Sequence, residues 1–352
     1  MKDYPHFFHL SGVHSQLPTQ EITSILDGKK IPYKIIDNFK RCLIINCSKY
    51  AATYVAQRAS YCKRSSSLLY KGKYIDANIS DISEKISKNI DFTQLLTKDE
   101  SFCVRVYYTG EVSFKSIELE KKLGKEIWTQ MAGKNKAKMK NPDKTFVVLI
   151  VNNDYFFGME LFARKKGSFK SRRPDVRPFF KPGTLEPMFA RLMVNLSLAN
   201  EDNYLVDPFC GPGGILVEGT LMNCNVIGLD IDKKMIQGSK KNLEYYTPKA
   251  NYELILADAR DLPFYENIES IATDPPYGRS TSTHGREIIK LLMHFFGEAA
   301  NILQSKGCLT IGMFEELPLK EIAEDNGFIV KYLEKIYIHK SLTRRVGVFI
   351  KK

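Results

Sequence analysis

The run Asp274-Pro275-Pro276-Tyr277-Gly278-Arg279 gathers groups that could act on an amine. It follows Ile271-Ala272-Thr273, which reads as the end of a strand. Two prolines stop a strand and fix an extended bend. The Asp274 carboxylate and the Pro275 carbonyl can then face one spot as acceptors, held rigid by Pro276. Tyr277 offers a flat face on which a base can stack. An exocyclic amine on a nucleobase is a poor nucleophile, because its lone pair is delocalised into the ring. Acceptors on its two hydrogens favour a pyramidal nitrogen and aim that lone pair. Methyl transfer makes the nitrogen cationic, and a nearby carboxylate stabilises the charge as it develops. Asp274 can take the proton afterwards. A base treated this way must first leave its stack. An ordinary turn is the bland alternative, and a second constellation upstream argues against it.

That constellation is Asp207-Pro208-Phe209-Cys210-Gly211-Pro212-Gly213-Gly214, between a strand at Tyr204 to Val206 and a helix. A glycine turn there lets a ligand approach the backbone closely. About 20 residues later Gly228-Leu229-Asp230-Ile231-Asp232 ends the next strand, where an acid accepts from ribose hydroxyls. A third strand ends at Asp258-Ala259-Arg260, where a carboxylate could accept from an adenine amino group or merely cap a helix. Two glycines, Gly211 and Gly213, are present, but Leu216 stands where a dinucleotide fingerprint wants a third. Asp207 would repel phosphate yet accept from a methionine ammonium. The set therefore predicts S-adenosylmethionine, bound by Asp207, Phe209, Cys210, Gly211, Gly213, Asp230, Ile231, Asp258 and Ala259. A nicotinamide-dependent oxidoreductase is the competing enzyme class.

Elements that could position these groups follow from the pattern. From Pro182 onward strands and helices alternate, predicting a largely parallel sheet covered on both faces. Strands at 328–338 and 344–350 have no helix between them and predict an antiparallel hairpin at one edge. The preceding half differs. Strands at 7–13, 33–36 and 42–47 with helices at 17–26 and 51–61 suggest a small α+β unit. A second segment predicts helices at 82–90 and 117–130 and strands at 102–107 and 145–151. We expect boundaries at 1–62, 63–160, a basic linker at 161–181, and 182–352.

Charge divides the same way. The 352 residues carry 52 Lys/Arg against 40 Asp/Glu, a net charge of +12. The first 182 residues hold 33 of the basic and 18 of the acidic residues, so the whole excess lies there. That asymmetry predicts a polyanion partner for the first half, although a merely soluble basic surface has the same composition. By itself this half would permit a non-enzymatic RNA-binding protein. Lys134, Lys136, Lys138 and Lys140 lie in a loop ending at Asn141-Pro142-Asp143. Arg172, Arg173 and Arg177 lie in a Pro- and Phe-containing basic stretch, which reads equally as a solvated linker or an RNA grip. Arg279 completes the expected RNA contacts. Seven dispersed cysteines without a Cys-x-x-Cys pair fit reduced, buried thiols and predict no structural zinc. No apolar run reaches membrane-spanning length, and the start lacks a secretory pattern, so a cytoplasmic protein is expected.

With these motifs in hand, the chain resembles RNA methyltransferases carrying an N-terminal THUMP domain, and above all the archaeal tRNA (guanine-10 N2)-methyltransferase family. The resemblance rests on Lys181 to Pro187, Ala190 to Leu196, Asp207 to Gly214, Gly228 to Asp232, Asp274 to Arg279 and Ser341 to Arg345. It implies a Rossmann-like class I methyltransferase domain with an antiparallel final strand, preceded by a ferredoxin-like and THUMP region. It also implies that Thr184 and Leu185 lie near the methionine end of the cofactor. The substrate implied is guanosine 10 of tRNA, methylated once or twice on N2. A related family acts on guanosine 6 with a motif that more often begins with Asn. Some relatives work with a small zinc-binding activator subunit.

Overall fold

The structure is a computed structural model. It describes all residues except 1–2, 75–77, 265–266, 277–281, 315–316 and 340–341, together with the side chains of 282–286, 314, 337–339 and 342–343. The described chain forms two compact units. Unit one comprises Met1–Thr19, Pro32–Gln57 and Cys62–Arg164; unit two comprises Gln20–Ile31, Arg58–Tyr61 and Lys165–Lys352.

Unit one is built on β1 (Tyr4–Leu10), β2 (Lys34–Phe39), β3 (Cys42–Cys47), β4 (Cys62–Lys73), β5 (Phe102–Thr109), β6 (Lys144–Val151) and β7 (Asp154–Ala163). With them run α1 (Leu17–Gly28, shared with unit two), α2 (Lys49–Arg58), α3 (Ile79–Asn89) and α4 (Ser116–Gln130). The strands make one sheet in the order β2-β3-β1-β4-β7-β6-β5. The expected boundary near residue 62 falls at the start of β4. That strand pairs with β1 on one side and β7 on the other, so both segments share one sheet.

Within this sheet β6 is buried on both faces. Phe146, Val148 and Ile150 pack with Ile82 and Ile86 of α3 and Leu119, Leu123 and Ile127 of α4. The alternate residues Val147, Leu149 and Val151 pack with Phe7, Ile44 and Phe156. A strand covered twice is apolar throughout, as this one is. The apolar spacing of α3 and α4 puts one stripe of each on the sheet. Asn78 starts α3 with a capping box, accepting from Asp81 N at 3.0 Å while Asp81 Oδ2 accepts from Asn78 N.

Unit two contains α5 (Pro187–Leu196), β8 (Tyr204–Asp207), α6 (Gly214–Thr220), β9 (Asn225–Asp230), α7 (Lys233–Tyr246), β10 (Tyr252–Leu256), β11 (Ile268–Thr273) and α8 (Ser282–Ile302). It ends with β12 (Leu303–Phe314), α9 (Leu319–Asp325), β13 (Phe328–His339) and β14 (Leu342–Lys351). The sheet order is β10-β9-β8-β11-β12-β14-β13. β10, β9, β8, β11 and β12 are parallel, and β14 runs antiparallel between β12 and β13. The closing hairpin expected from the sequence is therefore present, with β13 at the edge. Phe295 and Phe296 of α8 join Val206, Leu229, Ile271, Leu309 and Ile311 in its core.

The inserts from the beginning of the chain are integral to unit two. Glu21 is fully buried. It accepts from Ser60 N at 2.6 Å, Ser60 Oγ at 2.7 Å, Tyr61 N at 2.9 Å and Asn195 Nδ2 of α5 at 2.8 Å. The Arg58 guanidinium donates to the carbonyls of Met222 and Ala199. All seven cysteines are free and buried.

Candidate active site

The chain leaves β8 toward β9 and β10 on one side, and returns to β11 and β12 on the other. At such a switch point two loops diverge and leave a crevice at the carboxyl ends of the strands. A cavity of about 1060 Å³ lies there. Four strand ends bring it a carboxylate each: Asp207 as the last residue of β8, Asp230 as the last of β9, Asp258 just beyond β10 and Asp274 directly after β11.

Asp207 is 1% exposed. Its Oδ1 accepts from Thr273 Oγ1 at 2.7 Å and Phe209 N at 3.3 Å, which leaves Oδ2 for a ligand. Burial pushes its carboxyl up to about 7, and the nearby Asp274 and Asp230 push the same way. Thr273 is the last residue of β11, so this hydrogen bond joins the two constellations recognised in the sequence.

The glycine turn is held from two sides. Asp230 Oδ2 accepts from Gly211 N at 2.9 Å while its Oδ1 accepts from Asp232 N at 2.9 Å. Carboxylate oxygens have lone pairs beyond these, so ribose hydroxyls can still be received. Asn242, buried on α7, donates to Pro212 O at 2.8 Å and Phe179 O at 2.9 Å. Gly213 has φ +77°, and a Cβ on it would stand 2.3 Å from Ser239 Oγ of α7. Only glycine meets both constraints.

The other expected cofactor residues also line the cavity: Thr184, Leu185, Phe209, Cys210, Gly211, Ile231, Asp258 and Ala259. Ile231 is 69% exposed, an apolar side chain at the mouth that a flat ring could cover. Phe209 rests edge-on against Phe295 at 5.3 Å. Burial raises the Cys210 thiol well above its usual range, so it is a wall and not a nucleophile. Asp258 differs from a free acceptor: Arg260 Nε and Nη2 both donate to its carboxylate and hold its pKa low. Asp274, Pro275 and Pro276 line the same cavity. Tyr277 and Arg279 fall outside the described residues.

The expected RNA-binding residues separate into two groups. Lys134, Lys136, Lys138 and Lys140 are exposed on a loop pinned by buried Asn135, which donates to the carbonyls of Thr97 and Glu100 at 2.7 Å. Phe102 N and O of β5 also bond this loop. Arg173 is exposed and paired with Asp175. Arg172 and Arg177, however, are turned inward and correct the expectation. Arg172 Nε meets fully buried Glu218 Oε1 at 2.7 Å, and Arg191 meets Oε2 at 2.8 Å. Arg177 is 6% exposed and donates to the carbonyls of Arg172 and Leu185. A buried glutamate on α6 demands cations, and this basic stretch supplies one of them.

Several site residues escaped the sequence. Glu287, Lys290, Leu291 and His294 line the cavity from one side of α8, at the helical spacing that could have flagged them. Arg344 reaches Asp274 Oδ2 at 3.4 Å, a contact that only strand register reveals.

Comparison with known proteins adds independent findings. A THUMP domain model matches residues 76–160, and an RMKL-like methyltransferase domain model matches residues 174–344. A tRNA (guanine(10)-N2)-dimethyltransferase of Methanothermobacter thermautotrophicus is 32% identical over 96% of this chain and 97% of its own. The protein of the same description from Methanocaldococcus jannaschii is 29% identical over 97% and 98%. The crystal structure of TrmN from Thermus thermophilus superposes with a TM-score of 0.56 at 18% identity, covering 99% of this chain and 100% of that one; it shows the shared fold.

Proposed function

The chain belongs to the family of archaeal tRNA (guanine(10)-N2)-dimethyltransferases, and we propose from it that guanosine 10 of tRNA is the base methylated here, first to the N2-methyl and then to the N2,N2-dimethyl form. The protein is an S-adenosylmethionine-dependent tRNA guanine N2-methyltransferase. The observation that carries the site assignment is the Thr273–Asp207 hydrogen bond: it fixes the cofactor acid and the strand delivering Asp274 in one cavity.

The residues present suit the cofactor. A buried carboxylate with one oxygen spare calls for a cation, and the methionine ammonium is one. We assign Asp207 to that ammonium, Asp230 to the ribose hydroxyls, Ile231 and Ala259 to the adenine faces, and Thr184 and Leu185 to the methionine end. Asp258 serves the adenine amino group through whatever acceptor capacity Arg260 leaves it. When bound, S-adenosylmethionine supplies the electrophilic methyl group. Asp274 and the Pro275 carbonyl accept from the guanine amine and align it, and Asp274 stabilises the positive charge that forms on nitrogen. The proton then leaves to Asp274 or to water. A second round requires that the monomethylated amine rotate and offer its one remaining hydrogen to the same acceptors. Tyr277 is assigned to stacking on the flipped base, and Arg279 to the RNA backbone.

Gripping the tRNA is assigned to the basic first half, with Lys134, Lys136, Lys138 and Lys140 against phosphates and Arg173 adding to them. We infer a cytoplasmic location from the tRNA substrate. The experiment is mass spectrometry of nucleosides from an unmodified tRNA transcript incubated with protein and S-adenosylmethionine. We expect N2-methylguanosine followed by N2,N2-dimethylguanosine, and no product when guanosine 10 is replaced by adenosine. Label that persists on the replaced transcript refutes position 10 and points to guanosine 6. Turnover by the isolated chain would dispense with the small zinc-binding partner that the resemblance allows.

A further inference from the structure

Asp274 does not stand alone at the end of β11. Arg344, in β14, brings Nη1 to within 3.4 Å of Asp274 Oδ2, and the two side chains are only 10% and 12% exposed. On the other oxygen the neighbour is Gly312 of β12: a Cβ there would lie 2.9 Å from Asp274 Oδ1. The constraints come from two adjoining ladders: β11 and β12 pair parallel with Thr273 opposite Ile311, which sets Gly312 beside Asp274, and β12 and β14 pair antiparallel with Phe314 opposite Arg344. On the face of β12 that Gly312 shares, Cys308 and Thr310 are fully buried, so the strand elsewhere places a side chain where Gly312 has none. A glycine inside such a strand forfeits packing and marks a close approach.

We propose that Arg344 is a positioning residue for methyl transfer, holding the Asp274 carboxylate from one side while Gly312 leaves room for it on the other. This rests on the reading that Asp274 receives the target amine. An aspartate side chain has two rotatable bonds, and an amine aligned for transfer needs its acceptor in one place. A charge-assisted hydrogen bond to Oδ2 restricts that rotation, and a carboxylate's several lone pairs let it serve more than one donor. Arg344 itself does not touch the reacting atoms. Its role gives the closing hairpin a part in the chemistry: β14 supplies the brace, and β12 supplies the gap.

The test measures single-turnover and steady-state methylation of tRNA by Arg344→Ala, Arg344→Lys and Gly312→Ala, alone and combined with Asp274→Asn. S-adenosylmethionine affinity by calorimetry serves as control for folding. Arg344→Ala should lower kcat on the order of 100-fold, as small misplacements of a reacting group do, with cofactor affinity and the KM for tRNA nearly unchanged. Lysine should restore part of the rate, since it keeps the charge but not the planar fork. Gly312→Ala should produce the same kcat loss from the opposite side. In the Asp274→Asn background, adding Arg344→Ala should change kcat less than about threefold, because the coupling partner is gone. Should Arg344→Ala fail to fold, the lysine and Gly312→Ala variants carry the same comparison. Near-native kcat in both Arg344→Lys and Gly312→Ala, or losses that add fully to Asp274→Asn, overturns the proposal. Normal turnover by Asp274→Asn alone overturns the underlying reading of Asp274, and the proposal with it.

Discussion

Asp207 is a carboxylate kept where charge is costly. Burial lifts its pKa from 3.8 to about 7 and two neighbouring aspartates add to the rise, while Thr273 and the Phe209 amide oppose it. A bound ammonium favours the ionised form, so binding releases a proton wherever the free site holds one. We therefore expect S-adenosylmethionine affinity to be constant above pH 8 and to weaken below about pH 7, by up to about tenfold per unit. Calorimetry in two buffers of different ionisation enthalpy should reveal proton release near neutrality. An affinity that stays flat from pH 8 to pH 6 would remove Asp207 from the ammonium. The same shift has a sign for stability. The folded pKa lies above the unfolded one, so the group costs stability increasingly as pH rises through the interval from about 4 to 7. The carboxylates at the strand ends were legible in the sequence, because each ends an apolar run. Arg344 and Gly312 were not: neither stands near Asp274 in sequence, and it takes the pairing of β11 with β12 to bring Gly312 there and of β12 with β14 to bring Arg344.

At the scale of elements, α6 shows how one acid can anchor a loop. Glu218 is fully buried between Arg172 and Arg191, whose guanidinium groups lie 5.0 and 5.1 Å from the Phe169 ring. Removing one partner of a buried ion pair leaves uncompensated charge and typically costs ~3–5 kcal/mol. Glu218→Ala should therefore lower the denaturant midpoint sharply while Arg173→Ala, at an exposed pair, leaves it nearly unchanged. Equal midpoints for the two variants would mean that the basic stretch is not fastened there. Element order was legible where periodicity was clean, as in α3, α4 and the alternation from β8 to β12. β4 and β7 were not recognised. β4 reads Cys62-Lys63-Arg64-Ser65-Ser66-Ser67, polar and basic where a strand signal needs β-branched or aromatic residues; Ser65 and Ser66 are buried there nonetheless. β7 follows β6 after only Asn152-Asn153, with Asn152 at φ +53° and Val151 paired to Asp154. That two-residue Asn turn is a hairpin signal, and it was available in the sequence. Missing these two strands hid the fact that one sheet spans the first 163 residues.

On the scale of the whole molecule, the catalytic unit is not a contiguous piece of chain. It takes in Gln20–Ile31 and Arg58–Tyr61, and through Glu21, Ser60 and Asn195 these inserts satisfy buried polar groups. A chain beginning at Lys181 would lose them, and with them the apolar side chains of Ile22, Ile25 and Leu26, all buried. We expect such a fragment to lack a cooperative melt and to bind S-adenosylmethionine poorly. A fragment that melts cooperatively and binds like the full chain would show the inserts to be dispensable.

The same inserts set a timetable for synthesis. Gln20 reaches Glu334 and Asp27 reaches Lys331, partners 314 and 304 residues further along. At the usual elongation rate of about 5–20 residues per second, the ribosome needs roughly 15–60 s to deliver them. During that interval the first helix stands without these two partners, and an element waiting for its last contacts is open to chaperones and aggregation. Expression should therefore depend on how fast the last strands are translated, and slow codons late in the message should cost more soluble protein than slow codons early in it.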